Sequence, residues 1–140
     1  MDGQTEHSNS GQIIPIKCDH SNDQQVDNLF KNINQLDVLI NNAYTGVDFL
    51  TKHAEQPFNE VDIKAWDIIN NVGLRNHYRC CHHAVNKMIK NGRNLPNKPG
   101  MIITISSAGG ALRIFNCAYG VGKEAKDQCC VRHSISGDVT

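Results

Sequence analysis

Residues 36–43 read Leu-Asp-Val-Leu-Ile-Asn-Asn-Ala, and residues 101–107 read Met-Ile-Ile-Thr-Ile-Ser-Ser. Each is a short aliphatic run, apolar on both faces, that stops at polar residues. Runs of that length and composition point to strands buried in a parallel sheet. Working outward, Gln12–Cys18 (QIIPIKC) has the same strand character, and Pro15 within it removes a ladder donor, which predicts a sheet edge. Behind it, Ser21 with Gln24 three residues on forms a capping box. Val26, Leu29, Phe30 and Ile33 then fall on one face of a helix. After Asn41-Asn42-Ala43 a polar loop with Gly46 and Pro57 leads into a long helical stretch, about Asp62 to Lys90. Its stripe is Ile63, Trp66, Asn70, Gly73, His77, Cys81, Ala84 and Met88, and Gly92 is placed to end it. Asn91–Gly100 reads as a linker, and a last helix starts at Tyr119 and fades near Ser134–Gly137. Alternating strands and helices predict an α/β fold with a parallel sheet. Ligands in such sheets bind at the carboxyl ends of the strands. Those ends here are Asp19-His20, Asn41-Asn42-Ala43 and Ser106-Ser107, all on one edge of the sheet.

The chain has 140 residues, enough for one domain. Leu, Ile, Val and Phe number 34, about 24% of the chain, above the roughly 20% below which disorder is expected. Fourteen basic residues balance fourteen acidic ones, which removes the electrostatic argument for a nucleic-acid partner. No apolar run approaches the ~18 residues of a membrane span. The first twenty residues lack a basic-then-apolar leader, so the expected location is cytoplasmic, with endoplasmic reticulum association of a longer form left open. The six cysteines show no C-x-x-C pair and are expected as thiols. Vicinal Cys80-Cys81 and Cys129-Cys130 are poor disulfide partners, because adjacent helical residues point apart. His77 with Cys81, and Cys129 with His133, have a spacing that can present metal ligands. The plainer reading of these residues and of His82-His83 is of helix positions, part buried and part solvated, and no metal site is assigned.

Tyr119 and Lys123 are four apart at the start of a helix and so share a face. A free phenol holds its proton to about pH 10 and is a poor acid–base group at neutral pH. An ammonium ~4 Å away at an effective dielectric of about 20 stabilises the phenolate by at most about 4 kcal/mol, which moves a tyrosine toward general acid–base work. A serine hydroxyl beside it could hold a substrate carbonyl. Each feature alone is bland: Ser-Ser after a strand is usually a cap or turn, and Asn-Asn-Ala is usually a loop. Their joint order is what carries weight.

Taken together, Asn41-Asn42-Ala43 after a strand, Trp66-Asp67 opening a long helix, Ile105-Ser106-Ser107 ending a strand, and Tyr119-Gly120-Val121-Gly122-Lys123 resemble the short-chain dehydrogenase/reductases. The resemblance covers about Gly11 to Ala125. It implies a Rossmann-like doubly wound parallel sheet and carbonyl–alcohol interconversion by hydride transfer with NAD or NADP. It implies Tyr119 as proton donor and acceptor, Lys123 as the residue that binds nicotinamide ribose and eases tyrosine ionisation, and Ser107 as the residue orienting the carbonyl, with Ser106 its rival. Asp19 resembles the residue contacting adenine, and Asn41, with Ala43, the segment along the adenine ribose. The implied partner is a small carbonyl or alcohol substrate; a homo-oligomer is left open.

Three departures stand beside the resemblance. Gly73-Leu74-Arg75-Asn76 aligns with the family's Asn-Leu-x-Gly, which puts Gly73 at the Asn position; the role is not transferred to Asn71. No T-G-x-x-x-G-x-G phosphate loop occurs, and Gly120–Ala125, which matches G-x-G-x-x-G/A by letter, has no strand before it. The first two strands and the C-terminal strands of the family sheet have no counterpart. The expected organisation is therefore a lead-in over 1–11, a partial, incomplete α/β domain over 12–133 and a tail over 134–140. The expected function is either half of an oxidoreductase site or a non-catalytic interaction fragment.

Overall fold

The computed structural model describes residues 11–92, 100–112 and 114–131, so most of the lead-in and the 134–140 tail lie outside the described residues. Two strands form the sheet, β1 (Val38–Asn41) and β2 (Met101–Thr104), paired in parallel with Val38 opposite Met101 and Asn41 opposite Thr104. The helices are α1 (Asp23–Asn32), α2 (Val47–Lys52), α3 (Ala65–Asn70), α4 (His77–Gly92) and α5 (Cys117–Val131). Between α3 and α4 the helix widens to π geometry over Asn71–Asn76, and single 3₁₀ turns lie at Phe58–Glu60 and Ala108–Gly110. This is the expected α/β class.

The strands alternate. Leu39 and Ile102 pack on a core of Val26 and Phe30 from α1 with Cys80, Ala84 and Met88 from α4. Val38, Ile40, Met101, Ile103 and Ile105 are exposed on the opposite face. A second cluster gathers Leu50 from α2, Ala65 and Ile69 from α3 and Tyr119 from α5. Among the described residues Cys18, Cys80 and Cys117 are free thiols.

Four expectations need correction. Gln12–Cys18 is not a strand, and Ile13 is 94% exposed. A strand exists through its partner, Pro15 withholds a donor, and the only ladder among the described residues pairs β1 with β2. The cap of α1 is Asn22, not Ser21: Gln25 N–H donates to Asn22 Oδ1 at 3.2 Å. Ser21 is drawn to Asp19, its N–H and Oγ both donating to Asp19 Oδ1, while Gln24 donates to Asn28. The stripe on the long helix fails at its start, where Ile63 is 88% exposed and Trp66 44%, and Ala65 and Ile69 are buried instead. The π turn accounts for Trp66, because one extra residue in the turn shifts the helical phase ahead of it and brings Ala65 and Ile69 inward; Ile63 lies before α3 begins. Lastly, α5 begins at Cys117, two residues before Tyr119.

Charge staples α1 to the helix that crosses it. Asp23 and Asp27 lie one turn apart on α1 and face Arg75, Arg79 and His83. Arg75 grips Asp23 with both terminal nitrogens, at 2.8 and 2.6 Å. Arg79 grips Asp27 at 2.7–3.0 Å and also reaches Asp23 at 3.2 Å. His83 Nε2 lies 2.8 Å from Asp27 Oδ1, and its ring stacks on Phe30. Hydrogen bonds from Arg75 hold Asp23 below the usual carboxylate range, and those from Arg79 and then His83 do the same for Asp27. A lowered folded-state value contributes stability that is complete above about pH 4, the unfolded-state value, and is lost as pH falls through the folded one. Asp27→Asn should therefore lower the thermal midpoint at pH 7, and the gap to the parent should close on acidification below about pH 4. Circular dichroism melts across that range check it; a gap independent of pH would show that the carboxylate charge adds nothing.

Candidate active site

The parallel pairing brings the end of β1 and the end of β2 to one edge, and α5 starts there. Asn116 caps α5: Tyr119 N–H donates to its Oδ1 at 3.0 Å, and Gly120 N–H to its carbonyl at 3.2 Å. Tyr119 is thereby fixed in the first turn and is only 8% exposed. Its ring meets Tyr44 and Phe115 edge-on, with centroids 6.1 and 5.3 Å away, the geometry that aromatic quadrupoles favour. Phe115 holds a φ of 61°, a left-handed conformation that is costly for a bulky residue and that clusters at functional sites. Gly109 underlies the Tyr119 ring, since a Cβ there would collide with Cε1.

Lys123 lies one turn further along the same face. Its Nζ sits 5.4 Å from the Tyr119 centroid and 5.0 Å from that of Tyr44. Asn70, the last residue before the π turn, donates from Nδ2 to Ala118 O at 3.1 Å, and Gly122 leaves room for its amide. Tyr44, Ile69, Asn70, Gly73, Tyr119, Gly122 and Lys123 enclose only about 10 Å³, no more than one water needs. A separate groove of about 570 Å³ is lined by Gly109–Leu112, Ile114–Cys117, Gly120, Val121 and Glu124, within the ~300–1,000 Å³ of small-molecule sites. One of its lining residues is Asn116, whose Nδ2 has no hydrogen-bond partner among the described residues.

The other expected site residues are placed as follows. Ser107 accepts from Gly109 N–H at 3.2 Å and caps the 3₁₀ turn, which ties it to the glycine under Tyr119. Ser106 is exposed. Asn41 is buried, with its Nδ2 donating to His77 O at 3.4 Å and to Cys81 Sγ at 3.2 Å. Ala43 is half-buried. Asp19 is exposed, and the Ser21 hydrogen bonds hold its carboxyl below the usual range. Gly120–Ala125 lies wholly inside α5, as its lack of a preceding strand implied. A cavity of about 70 Å³ over the covered sheet face is lined in part by His77, Cys81, Lys126 and Cys129. Burial pushes His77 down to about 4; the Lys126 charge adds to the shift and the Ala43 backbone opposes it. Among the described residues no group of three or more His, Cys, Asp or Glu could hold a metal, and His133 lies outside them. No helix there is long and apolar enough to cross a membrane.

Sequence reasoning missed Tyr44 and Gly109 as parts of the site. Tyr44 carried a signal in its place directly after Asn41-Asn42-Ala43, at a strand's carboxyl end. Gly109 carried one only through its neighbourhood to Ser107.

The fold is thus a parallel α/β unit that carries a tyrosine–lysine pair and a serine near the carboxyl edge of its sheet. The short chain dehydrogenase family model matches residues 3–130, and the chain belongs to that family. Dehydrogenase/reductase SDR family member 1 of Mus musculus and that of Homo sapiens are each 38% identical over 145 aligned residues, which take in 95% of this chain and 44% of theirs. The chain thus spans under half the length of these relatives. A short-chain dehydrogenase/reductase from Burkholderia xenovorans superposes with a TM-score of 0.67 at 20% identity, covering 86% of this chain and 45% of that one. A 7α-hydroxysteroid dehydrogenase, solved with NADH and 7-oxo glycochenodeoxycholic acid, gives 0.63 at 21%, covering 80% and 40%. These likenesses show the fold.

The packing of Tyr119 on Gly109 is directly testable. Gly109→Ala should cost about 1–3 kcal/mol through overpacking. Gly92→Ala, with nothing within 4 Å of its added Cβ, should be neutral or gain up to about 1 kcal/mol. Urea unfolding of both compares them; equal stabilities would show that the ring is not seated on Gly109.

Proposed function

We propose that the chain carries the carbonyl-handling part of an NAD- or NADP-dependent oxidoreductase that interconverts a carbonyl and an alcohol. The observation that carries this reading is Tyr119 and Lys123 on one face of α5, with Ser107 bonded to the glycine on which Tyr119 lies. The residues fit the ribose end of a nicotinamide nucleotide, where Lys123 would hold hydroxyls. They do not supply a glycine-rich cradle for its pyrophosphate. The chemistry a bound nicotinamide supplies is the hydride; the chain's own residues handle the oxygen and its proton.

In reduction, Tyr119 gives its phenolic proton to the carbonyl oxygen as the carbonyl carbon gains the hydride; in oxidation it takes the proton back. Lys123 places a positive charge beside the phenolate left behind. Ser107 Oγ already accepts from Gly109 N–H, which leaves its own O–H to donate to the carbonyl oxygen and orient it. Asn41 supports the loop after β1, because its amide is taken by His77 O and Cys81, and Asp19 and Ala43 would meet the adenosine.

Tyr119→Phe keeps the ring and its packing and removes the proton. In the protein expressed at its natural length, it should lower turnover of small aldehydes and ketones with NADH or NADPH by about 10²-fold or more, with the thermal midpoint unchanged. Unaltered turnover would overturn the assignment.

A second reading, a non-catalytic interaction fragment, is favoured by one observation: the site between Tyr44, Tyr119 and Lys123 encloses about 10 Å³. On that reading calorimetry finds no saturable binding of NADH or NADPH to the 140-residue chain, and saturable binding excludes it.

A further inference from the structure

We propose that Tyr44 is a positioning residue for Lys123, a role that rests on the Tyr119–Lys123 reading above. A lysine side chain has four methylenes and loses close to the most rotamer entropy of any residue when it is held. Something must hold this one beside Tyr119. The rings of Tyr44 and Tyr119 meet at 71° and form a corner. The Lys123 ammonium stands in it, 5.0 Å from one centroid and 5.4 Å from the other, inside the ~6 Å at which a cation is drawn to a ring face.

The surroundings of Tyr44 point to its ring as the working part. Its hydroxyl is buried and has no hydrogen-bond partner among the described residues. The phenol oxygen therefore contributes nothing that a hydrogen atom would not. Gly46 and Gly73 flank the ring, and a Cβ on either would run into it. Gly46 has φ −79°, a conformation open to any residue, so the glycine is needed for the space and not for the backbone. The loop after β1 and the π turn both leave room for one aromatic ring against Lys123. Burial and the nearby Tyr119 push the Tyr44 phenol up to about 12, so the ring stays uncharged and keeps its attraction for a cation across the neutral range.

The test reads Lys123 directly in the 140-residue chain, with no ligand and no turnover. A limiting amine-reactive ester labels the lysines, and peptide mass spectrometry gives a rate for each. Lys126, 3% exposed, reports loosening of the fold, and exposed Lys90 is the reference. Tyr44→Leu should raise labelling at Lys123 between about 2- and about 30-fold, the range a cation–π contact of this kind is worth, with Lys126 still protected. Tyr44→Phe should match the parent. An unchanged Lys123 rate in Tyr44→Leu, with Lys126 protected, overturns the proposal. If Lys126 becomes reactive too, replacing Tyr44 by pentafluorophenylalanine decides, since it keeps the ring's outline and reverses its quadrupole. A rise at Lys123 alone then supports the role, and no rise overturns it. Failure here is distinct from failure of the oxidoreductase reading, which the Tyr119→Phe kinetics decide.

Discussion

A parallel pair of strands cannot be closed by a tight turn; the chain must travel back before it pairs again. In this protein the return journey runs from Asn42 to Gly100 and contains α2, α3, the π turn and α4. Because the strands run the same way, their carboxyl ends meet at one edge, and Asn41 to Tyr44 comes to lie near Ser107 and the start of α5. Met101 N–H donates to Asp37 O and Ile105 N–H to Asn41 O, so the pairing continues one residue beyond each end of the ladder. A slip of one residue in this register would turn Asn41 and Leu39 away from α4. Core and site would be lost together.

The two buried clusters divide the work. The one between α1 and α4 joins Phe30 to aliphatic and sulfur-bearing side chains and is closed on its outer side by the Asp23, Asp27, Arg75, Arg79 and His83 network. The other contains Tyr119 itself, packed with Leu50, Ala65 and Ile69. The residue proposed to carry the proton is therefore also a core residue, which fixes its ring and exposes little of it. Asn70 ties α3 to α5 within that second cluster, bonding to Ala118 O from the residue where α helix gives way to π helix. Such π segments concentrate at functional sites, and this one sets the wall that Tyr44 leans on.

Much of this was legible in the residues. The apolar runs at 36–40 and 101–105, the amphipathic spacing of Val26 and Phe30, and the lower stripe through His77, Ala84 and Met88 all follow from periodicity, and the structure keeps them. What could not be read depended on non-local facts. Gln12–Cys18 has strand composition, but pairing is a property of two segments. The π turn changes helical phase without a clear mark in the sequence, so periodicity puts Trp66 on the wrong face, and Ile63 falls before α3 begins. Ser21 and Asn22 are both good caps, and the choice fell to Asn22 because Asp19 captured Ser21. At the site, Tyr119, Lys123 and Ser107 lie within one short stretch, whereas Tyr44 sits 75 residues before Tyr119 and only the fold joins them.

The bare face of the sheet has a thermodynamic consequence. Val38, Ile40, Met101, Ile103 and Ile105 form an apolar surface beside two strand edges that lack further partners among the described residues. Apolar faces with open edges recruit other strands. Anything that binds the folded chain there stabilises it by mass action, and a second copy counts. Where a second copy binds, the free energy of unfolding becomes a function of how much protein is in the tube.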